Sequence, residues 1–306
     1  MPVQTLGTIA QILANTIWGI SVVVVKIALS SMSPYTFVFL RLLLTVIILT
    51  PFVLPRLLKT KIKPRDYLFV FLSGFFGITL NIGLFFLGLK NTTAIDSSVI
   101  AATTSLFTAL AAYLFLKEKI SRIMLLGMLI SFFGVVAIII QPILENGLFR
   151  INNLLGNVFI LGATWAWVGY TILGKEINRK YDSWVLSYYA FTTGAICFLP
   201  FSLGDITNLN FYLRMNSFGW FAIVFEAVFP TIIAYFLFSW SLKFVSATKA
   251  AVIAYLHPIV AIVSSILFLR EKPTIPFLFG TFLIIFGLFL SEAKHKKHPL
   301  HHLHKK

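Results

Sequence analysis

The stretch Leu89-Lys90, Ala94, Val99-Ile100-Ala101, Leu114-Phe115-Leu116-Lys117-Glu118-Lys119 returns as Leu242-Lys243, Ala247, Val252-Ile253-Ala254, Leu267-Phe268-Leu269-Arg270-Glu271-Lys272. Each pair is 153 residues apart, without a gap. The same offset relates Phe76 to Phe229, Phe85 to Phe238, Gly127 to Gly280, and Phe133-Gly134 to Phe286-Gly287. Nearer the start of each half the offset is 149, relating Trp18 to Trp167, Lys26 to Lys175, and Pro51-Phe52 to Pro200-Phe201. One longer loop near 204–217 absorbs the difference. The chain is an internal duplication, and self-similarity on this scale governs the whole fold.

Composition says what surrounds the duplicated unit. Of 306 residues, 58% are hydrophobic and 11% charged, so lipid must cover apolar surface that a soluble chain of this length could not bury. A spanning helix needs about 20 apolar residues. The apolar runs predict ten helices, at 7–29, 34–54, 68–89, 93–116, 122–143, 154–174, 183–203, 217–240, 247–269 and 275–292. The expected architecture is an all-α integral membrane protein of two five-helix repeats, 1–146 and 147–293, with a basic, His-rich tail at 294–306. The first run continues to Leu29, too long for the apolar core of a signal peptide. A single cysteine, Cys197, excludes an internal disulfide and any multi-cysteine metal site.

The net charge of +15 would suggest a nucleic-acid partner in a soluble chain. Here it collects in alternate loops. With the N-terminus inside, 18 Lys and Arg fall in inside loops and the tail, six fall outside, and Arg41 alone lies within a span. This bias predicts both termini cytoplasmic, and basic inside loops with so compact a design fit a bacterial inner membrane. The loop 55–67 carries five basic residues while its counterpart at 204–217 carries only Arg214. An odd number of spans per repeat then requires the second repeat to insert upside down, giving antiparallel repeats about a pseudo-two-fold axis in the membrane plane.

Small residues mark the expected packing. Ala94, Ser98, Ala101, Ser105, Thr108 and Ala112 step along one face of the fourth helix, and Ala247, Ala251, Ala254, Pro258, Ala261 and Ser265 do so in the ninth. Such stripes let backbones approach closely where no hydrophobic force drives helices together. Gly127 and Gly134 in the fifth helix, with Gly280 and Gly287 in the tenth, predict another close contact.

With these residues in view, the chain resembles the EamA type of the drug/metabolite transporter superfamily over nearly its whole length. The resemblance rests on Trp18-Gly19 with Lys26, Ser33-Pro34 with Arg41, Gly88-Leu89-Lys90, Leu116-Lys117-Glu118-Lys119, and Gly127 with Gly134. In the second half it rests on Ser241-Leu242-Lys243, His257-Pro258, Leu269-Arg270-Glu271-Lys272, and Gly280 with Gly287. It implies a secondary transporter. Members move amino acids, nucleosides, S-adenosylmethionine and other metabolites or toxic compounds, so the motifs specify fold better than substrate. Where the family often has Glu-Pro in the ninth helix this chain has His257-Pro258, and Glu226 in the eighth helix is not a recognised family feature.

Several residues are candidates for chemistry. His257 is the only histidine of six outside the tail, and its intrinsic pKa near neutrality suits a proton-coupling role. The alternative is a neutral ring bonded to a serine or a backbone carbonyl. Glu226 must face a cavity, pair with a cation or be protonated, unless it lies in the outer third of its helix and snorkels to water. Arg41 suits a substrate carboxylate or phosphate, with a structural role as the alternative. Lys26 and Lys175 end the first helix of each repeat and are expected to snorkel to opposite interfaces. Glu118 and Glu271 lie in basic clusters, where local ion pairing is expected. Asn15, Trp18, Asn81, Trp167, Tyr170, Tyr235, Tyr255 and His257 together suggest an amphipathic substrate cavity.

The expected function is alternating-access carriage of a small organic solute, most naturally an amino acid or related metabolite, with protonation of His257 or Glu226 as the coupling step. Facilitated diffusion of nucleoside-like or S-adenosylmethionine-like metabolites is an alternative, and so is a passive pore. No phosphate-binding loop points to ATP. A membrane enzyme would need a His-Glu-x-x-His, paired aspartates or a Ser/His dyad, none of which the sequence supplies. No cofactor, metal site or nucleic-acid partner is expected; the partners are a solute and the bilayer. The histidines at 295, 298, 301, 302 and 304 suit a solvated tail, or one that binds metal or anionic lipid.

Overall fold

The structure is a computed structural model that describes residues 3–116, 122–146, 151–241, 244–245, 253–254 and 256–292. Among the described residues, eight helices are long and apolar enough to cross a membrane, and two shorter apolar helices bring the number to ten. In chain order they are α1 (Val3–Ala28), α2 (Pro34–Leu57), α3 (Pro64–Asn91), α4 (Ala94–Phe115), α5 (Arg122–Asn146), α6 (Ile151–Lys180), α7 (Ser183–Ile206), α8 (Ser217–Phe238), α9 (Leu256–Leu269) and α10 (Ile275–Glu292). Among the described residues there is no strand. The long loop expected near 204–217 contains a short helix, Leu209–Arg214, opened by an Asn208 side-chain cap.

The packing is reciprocal between the halves. α1 lies against α8 and α9, and its repeat partner α6 lies against α3 and α4. The remaining partners pair directly, α2 with α7 and α5 with α10. Each half thus completes the other, as inverted repeats require. Burial is arranged for lipid outside and polar groups inside. Phe115, Phe268 and Phe289 are more than 70% exposed, while Gln11, Thr45, Ser98 and Glu226 are completely buried.

Glycine sets the closest crossing. A Cβ on Gly134 would stand 2.6 Å from the Gly280 carbonyl, and one on Gly287 would collide with the Gly127 carbonyl and Ser131. The Ser131 hydroxyl uses this proximity to donate to the Ile284 carbonyl at 3.0 Å. The α4 stripe is buried at Ala94 and Ser98 and half-buried at Ala101 and Thr108. The side chains of Ser105 and Ala112, and the stripe residues Ala247 and Ala251, lie outside the described residues.

Both third helices contain a π-helical turn, Phe75–Leu80 in α3 and Ala227–Ala234 in α8, at equivalent places in the duplication. Ser265–Leu269 closes α9 in the same way. Hydrophobic periodicity gives no sign of these turns, since one inserted residue shifts a face without changing composition. Pro230 accounts for the turn in α8, because it has no N–H to continue the ladder.

Replacing Gly287 by leucine forces α10 off α5, an overpacking effect of roughly 1–3 kcal/mol. Thermal unfolding of purified Gly287→Leu should begin several degrees below wild type. Gly204, which has nothing within 4 Å of an added Cβ, should accept leucine without change.

Candidate functional site

The site begins with the missing N–H of Pro230. In an unbroken α-helix that N–H would reach the Glu226 carbonyl; instead the Thr231 hydroxyl donates to it at 2.7 Å. The oxygen of Thr231 is then free to accept, and Arg41 from α2 donates to it through Nε at 3.1 Å and Nη2 at 2.8 Å. The third arm of the guanidinium, Nη1, meets Glu226 Oε2 at 3.0 Å. The other carboxylate oxygen accepts from Ser21 of α1 at 2.6 Å. Three helices therefore converge on one carboxylate. The snorkelling alternative for Glu226 is corrected by this arrangement: the residue is 0% exposed and holds a cation.

An aromatic wall surrounds the pair. Phe86 lies under the guanidinium with its centroid 5.5 Å from Cζ, a cation–π contact that suits a desolvated arginine. Trp18 donates its indole N–H to the Pro230 carbonyl at 3.0 Å. Its ring meets Tyr235 edge-on at 5.4 Å, and Tyr235 in turn meets Phe191 at 6.4 Å. From the other half, Trp167 and Tyr170 pack together at 5.1 Å, with the Tyr170 ring seated where a side chain at Gly77 would stand.

The remaining expected residues are placed less centrally. His257 packs on α1, where a Cβ on Gly19 would come within 2.8 Å of its carbonyl. Asn81 donates to the Ala163 carbonyl at 2.8 Å and ties α3 to α6. Asn15 donates to the Gln11 carbonyl of its own helix at 2.9 Å. Tyr255 lies outside the described residues, as do Glu118 and the His-rich tail.

The duplication supplies an internal control. The positions equivalent to Arg41 and Glu226, at offsets 149 and 153, are Ala190 and Ser73. Both are buried, and Gly74 sits directly against Ala190, its Cβ position 2.9 Å from the Ala190 Cα. The same crossing of a second helix on a third helix therefore closes once with neutral small residues and once with a buried ion pair. Packing alone does not require the charges.

A second charged assembly, at the end where α1 finishes, was not foreseen. Lys26 is corrected from a snorkelling role: its ammonium turns inward and donates to the Leu89 carbonyl at 2.6 Å and to that of Thr92. Glu271 is likewise corrected from local pairing. Its two carboxylate oxygens accept the N–H groups of Ala94 at 2.8 Å and Ile95 at 3.0 Å. A cation thus caps the last carbonyls of α3 while an anion caps the first amides of α4, each matching the local helix dipole. Arg270, in the left-handed region at φ 54°, reverses the chain after α9 and delivers Glu271 to α4. Lys175 and Glu118 hold the equivalent positions in the duplicated sequence, and that repetition is the signal by which the two residues could have been linked.

Removing one charge of a buried pair strands the other and costs roughly 3–5 kcal/mol. Arg41→Ala should therefore lower the unfolding temperature sharply, whereas Glu271→Gln, which keeps one amide acceptor at the end of the bundle, should lower it by a smaller amount. Both are read by thermal unfolding in detergent.

Two stretches of the chain, residues 5–140 and 154–292, match the EamA-like transporter family. Over 282 residues it is 29% identical to a protein of Archaeoglobus fulgidus described as an uncharacterized transporter, covering 92% of this chain and 96% of that one. It is 25% identical to the uncharacterized transporter YetK of Bacillus subtilis over 293 residues, covering 94% and 86% of the two chains. A solved crystal structure, 16% identical, superposes with a TM-score of 0.59 over 93% of this chain and 96% of the other, and supports the fold. The matched stretches coincide with the two halves of the duplication, and the chain belongs to the EamA-like transporter family.

Proposed function

We propose that the chain is an alternating-access carrier of small zwitterionic solutes, amino acids or close relatives, and that Arg41 and Glu226 are its recognition groups. The observation that carries this reading is the asymmetry of the buried pair: a charged Arg41–Glu226 contact stands where the mirrored crossing is closed by Ala190 and Ser73. Buried ionisable residues within a membrane are expensive, and they mark solute and ion pathways. A zwitterion carries the complement of both groups. Its carboxylate suits the planar fork of Arg41 and its ammonium suits the carboxylate of Glu226. Insertion replaces one ion pair by two, so neither charge is left unpaired in a medium of low dielectric. Trp18, Tyr235 and Phe191 supply apolar and aromatic surface for the solute's side chain.

The reciprocal packing suits alternating access. α1 and α6 each bridge to the opposite half, so rocking the halves opens the cluster to one side at a time. With both termini cytoplasmic, as the basic loops suggest, the Lys26 and Glu271 contacts lie at the outer end and hold it shut. Breaking the pair to admit solute also frees Glu226 to take a proton. That makes Glu226 the first candidate for coupling and His257 the second. A bacterial inner membrane suits the charge bias.

Counterflow in proteoliposomes tests the reading. Saturable exchange of a radiolabelled amino acid is expected, inhibited by other amino acids and untouched by the corresponding amine or N-acetylated acid. Flux that rises linearly with concentration would indicate a pore, and equal inhibition by the amine alone would remove Arg41 from recognition. Imposing a pH gradient on His257→Ala, which leaves the recognition pair intact, tests the coupling: accumulation lost while counterflow persists makes His257 the coupling group, and accumulation unchanged leaves the role to Glu226. Glu271→Gln is expected to raise the labelling of a cysteine placed at the outer end of α4.

A further inference from the structure

At the other end of the bundle from Lys26 and Glu271, the start of α3 and the end of α6 enclose a cleft of about 420 Å³ lined by Lys63, Arg65, Asp66, Lys180 and Tyr181. We propose that this cleft binds the phosphate of an anionic phospholipid, a role independent of the solute site.

The geometry is built around one buried carboxylate. Asp66 is 4% exposed. It accepts the Tyr181 hydroxyl at 2.7 Å and meets the Lys180 ammonium at 3.4 Å. The Tyr181 oxygen also accepts the Lys63 backbone N–H at 3.0 Å. These bonds tie the loop before α3 to the end of α6, backed by a small core of Ile62, Val70 and Ile177. They also engage Asp66, the one carboxylate among the described residues that line the cleft. Among the described residues neither Lys63 nor Arg65 has an ion pair. Among the described lining residues, three cations against one carboxylate leave an excess of two positive charges.

The position favours a lipid over a free anion. The cleft opens where a membrane-spanning helix begins, and the next residues of α3 turn apolar side chains outward. Tyr67, Leu68 and Phe71 are all about half exposed, and Phe71 lies one turn beyond the adjacent Tyr67 and Leu68, on the same side of the helix. A phosphate in the cleft would place its acyl chains along that face, whereas a soluble phosphate would use only the basic groups. Each basic side chain near an anionic headgroup adds favourable electrostatic energy, and a walled pocket adds to that a defined place. Nearby Arg56 pairs with Asp182 at 3.5 Å and lies over the Trp184 ring at 5.6 Å, so it is already engaged.

The test is thermal unfolding of the full chain in detergent, titrated with phosphatidylglycerol, phosphatidylcholine or inorganic phosphate. Wild type is compared with Lys63→Ala/Arg65→Ala and with Lys59→Ala/Lys61→Ala, which removes equal charge from the same loop outside the cleft. Phosphatidylglycerol alone should stabilise wild type. Its apparent affinity should fall roughly ten- to thirtyfold in the cleft variant, the scale of two surface cations, and be nearly unchanged in the control. Equal loss in both variants would reduce the effect to diffuse attraction and overturn the site. Stabilisation by inorganic phosphate at the same concentration would make it a soluble-anion site and overturn the lipid. No effect of phosphatidylglycerol on wild type would overturn both.

Discussion

A carboxylate and a guanidinium that share no water must share each other, and the middle of this bundle is organised by that requirement. Glu226 and Arg41 come from helices of different repeats, so their contact holds α2 against α8. It depends in turn on Pro230. The orphaned Glu226 carbonyl recruits Thr231, and Thr231 presents one oxygen to two arms of the arginine. Ser21 then draws α1 to the same carboxylate. A break in one helix thereby produces a polar junction among three, inside a shell whose outer faces are phenylalanine, leucine and isoleucine.

The duplication makes it possible to separate architecture from function. What the halves hold in common is mechanical: the glycine crossing of α5 on α10, the reciprocal seating of α1 and α6, and the π-helical turn in each third helix. What they do not hold in common is chemical. Where α2 meets α8 there is a salt bridge, and where α7 meets α3 there is alanine on glycine. A pair of charges that the mirrored contact manages without is a burden on folding, and it persists at the place where aromatic rings from both halves gather.

Much of the fold was legible in the sequence because the membrane enforces a simple code. Ten apolar runs, a repeat offset and the alternation of basic loops led to the inverted architecture, and matched glycines located the α5–α10 crossing. The site was only partly legible. Arg41 and Glu226 each stood out as an in-membrane charge, but the repeat offset says nothing about contacts between non-equivalent helices, so their pairing was not read. The scarcity of such charges was the available signal: opposite charges within spans seek one another. The π-helical turns escaped because period and composition are blind to one extra residue. Lys26 and Glu271 were misread because each was weighed against its own helix, while both serve the turn between α3 and α4.

If the Arg41–Glu226 pair exists for solute rather than for stability, the protein carries the design for its own test. Arg41→Ala with Glu226→Ser copies the mirrored Ala190 and Ser73 into the site, removing both charges together so that neither is stranded. The measurement is amino-acid counterflow by this double variant beside its unfolding temperature. The expected result is a protein at least as stable as wild type that no longer exchanges solute. Undiminished counterflow would remove the pair from recognition, and a chain that loses its fold along with the charges would make the pair structural.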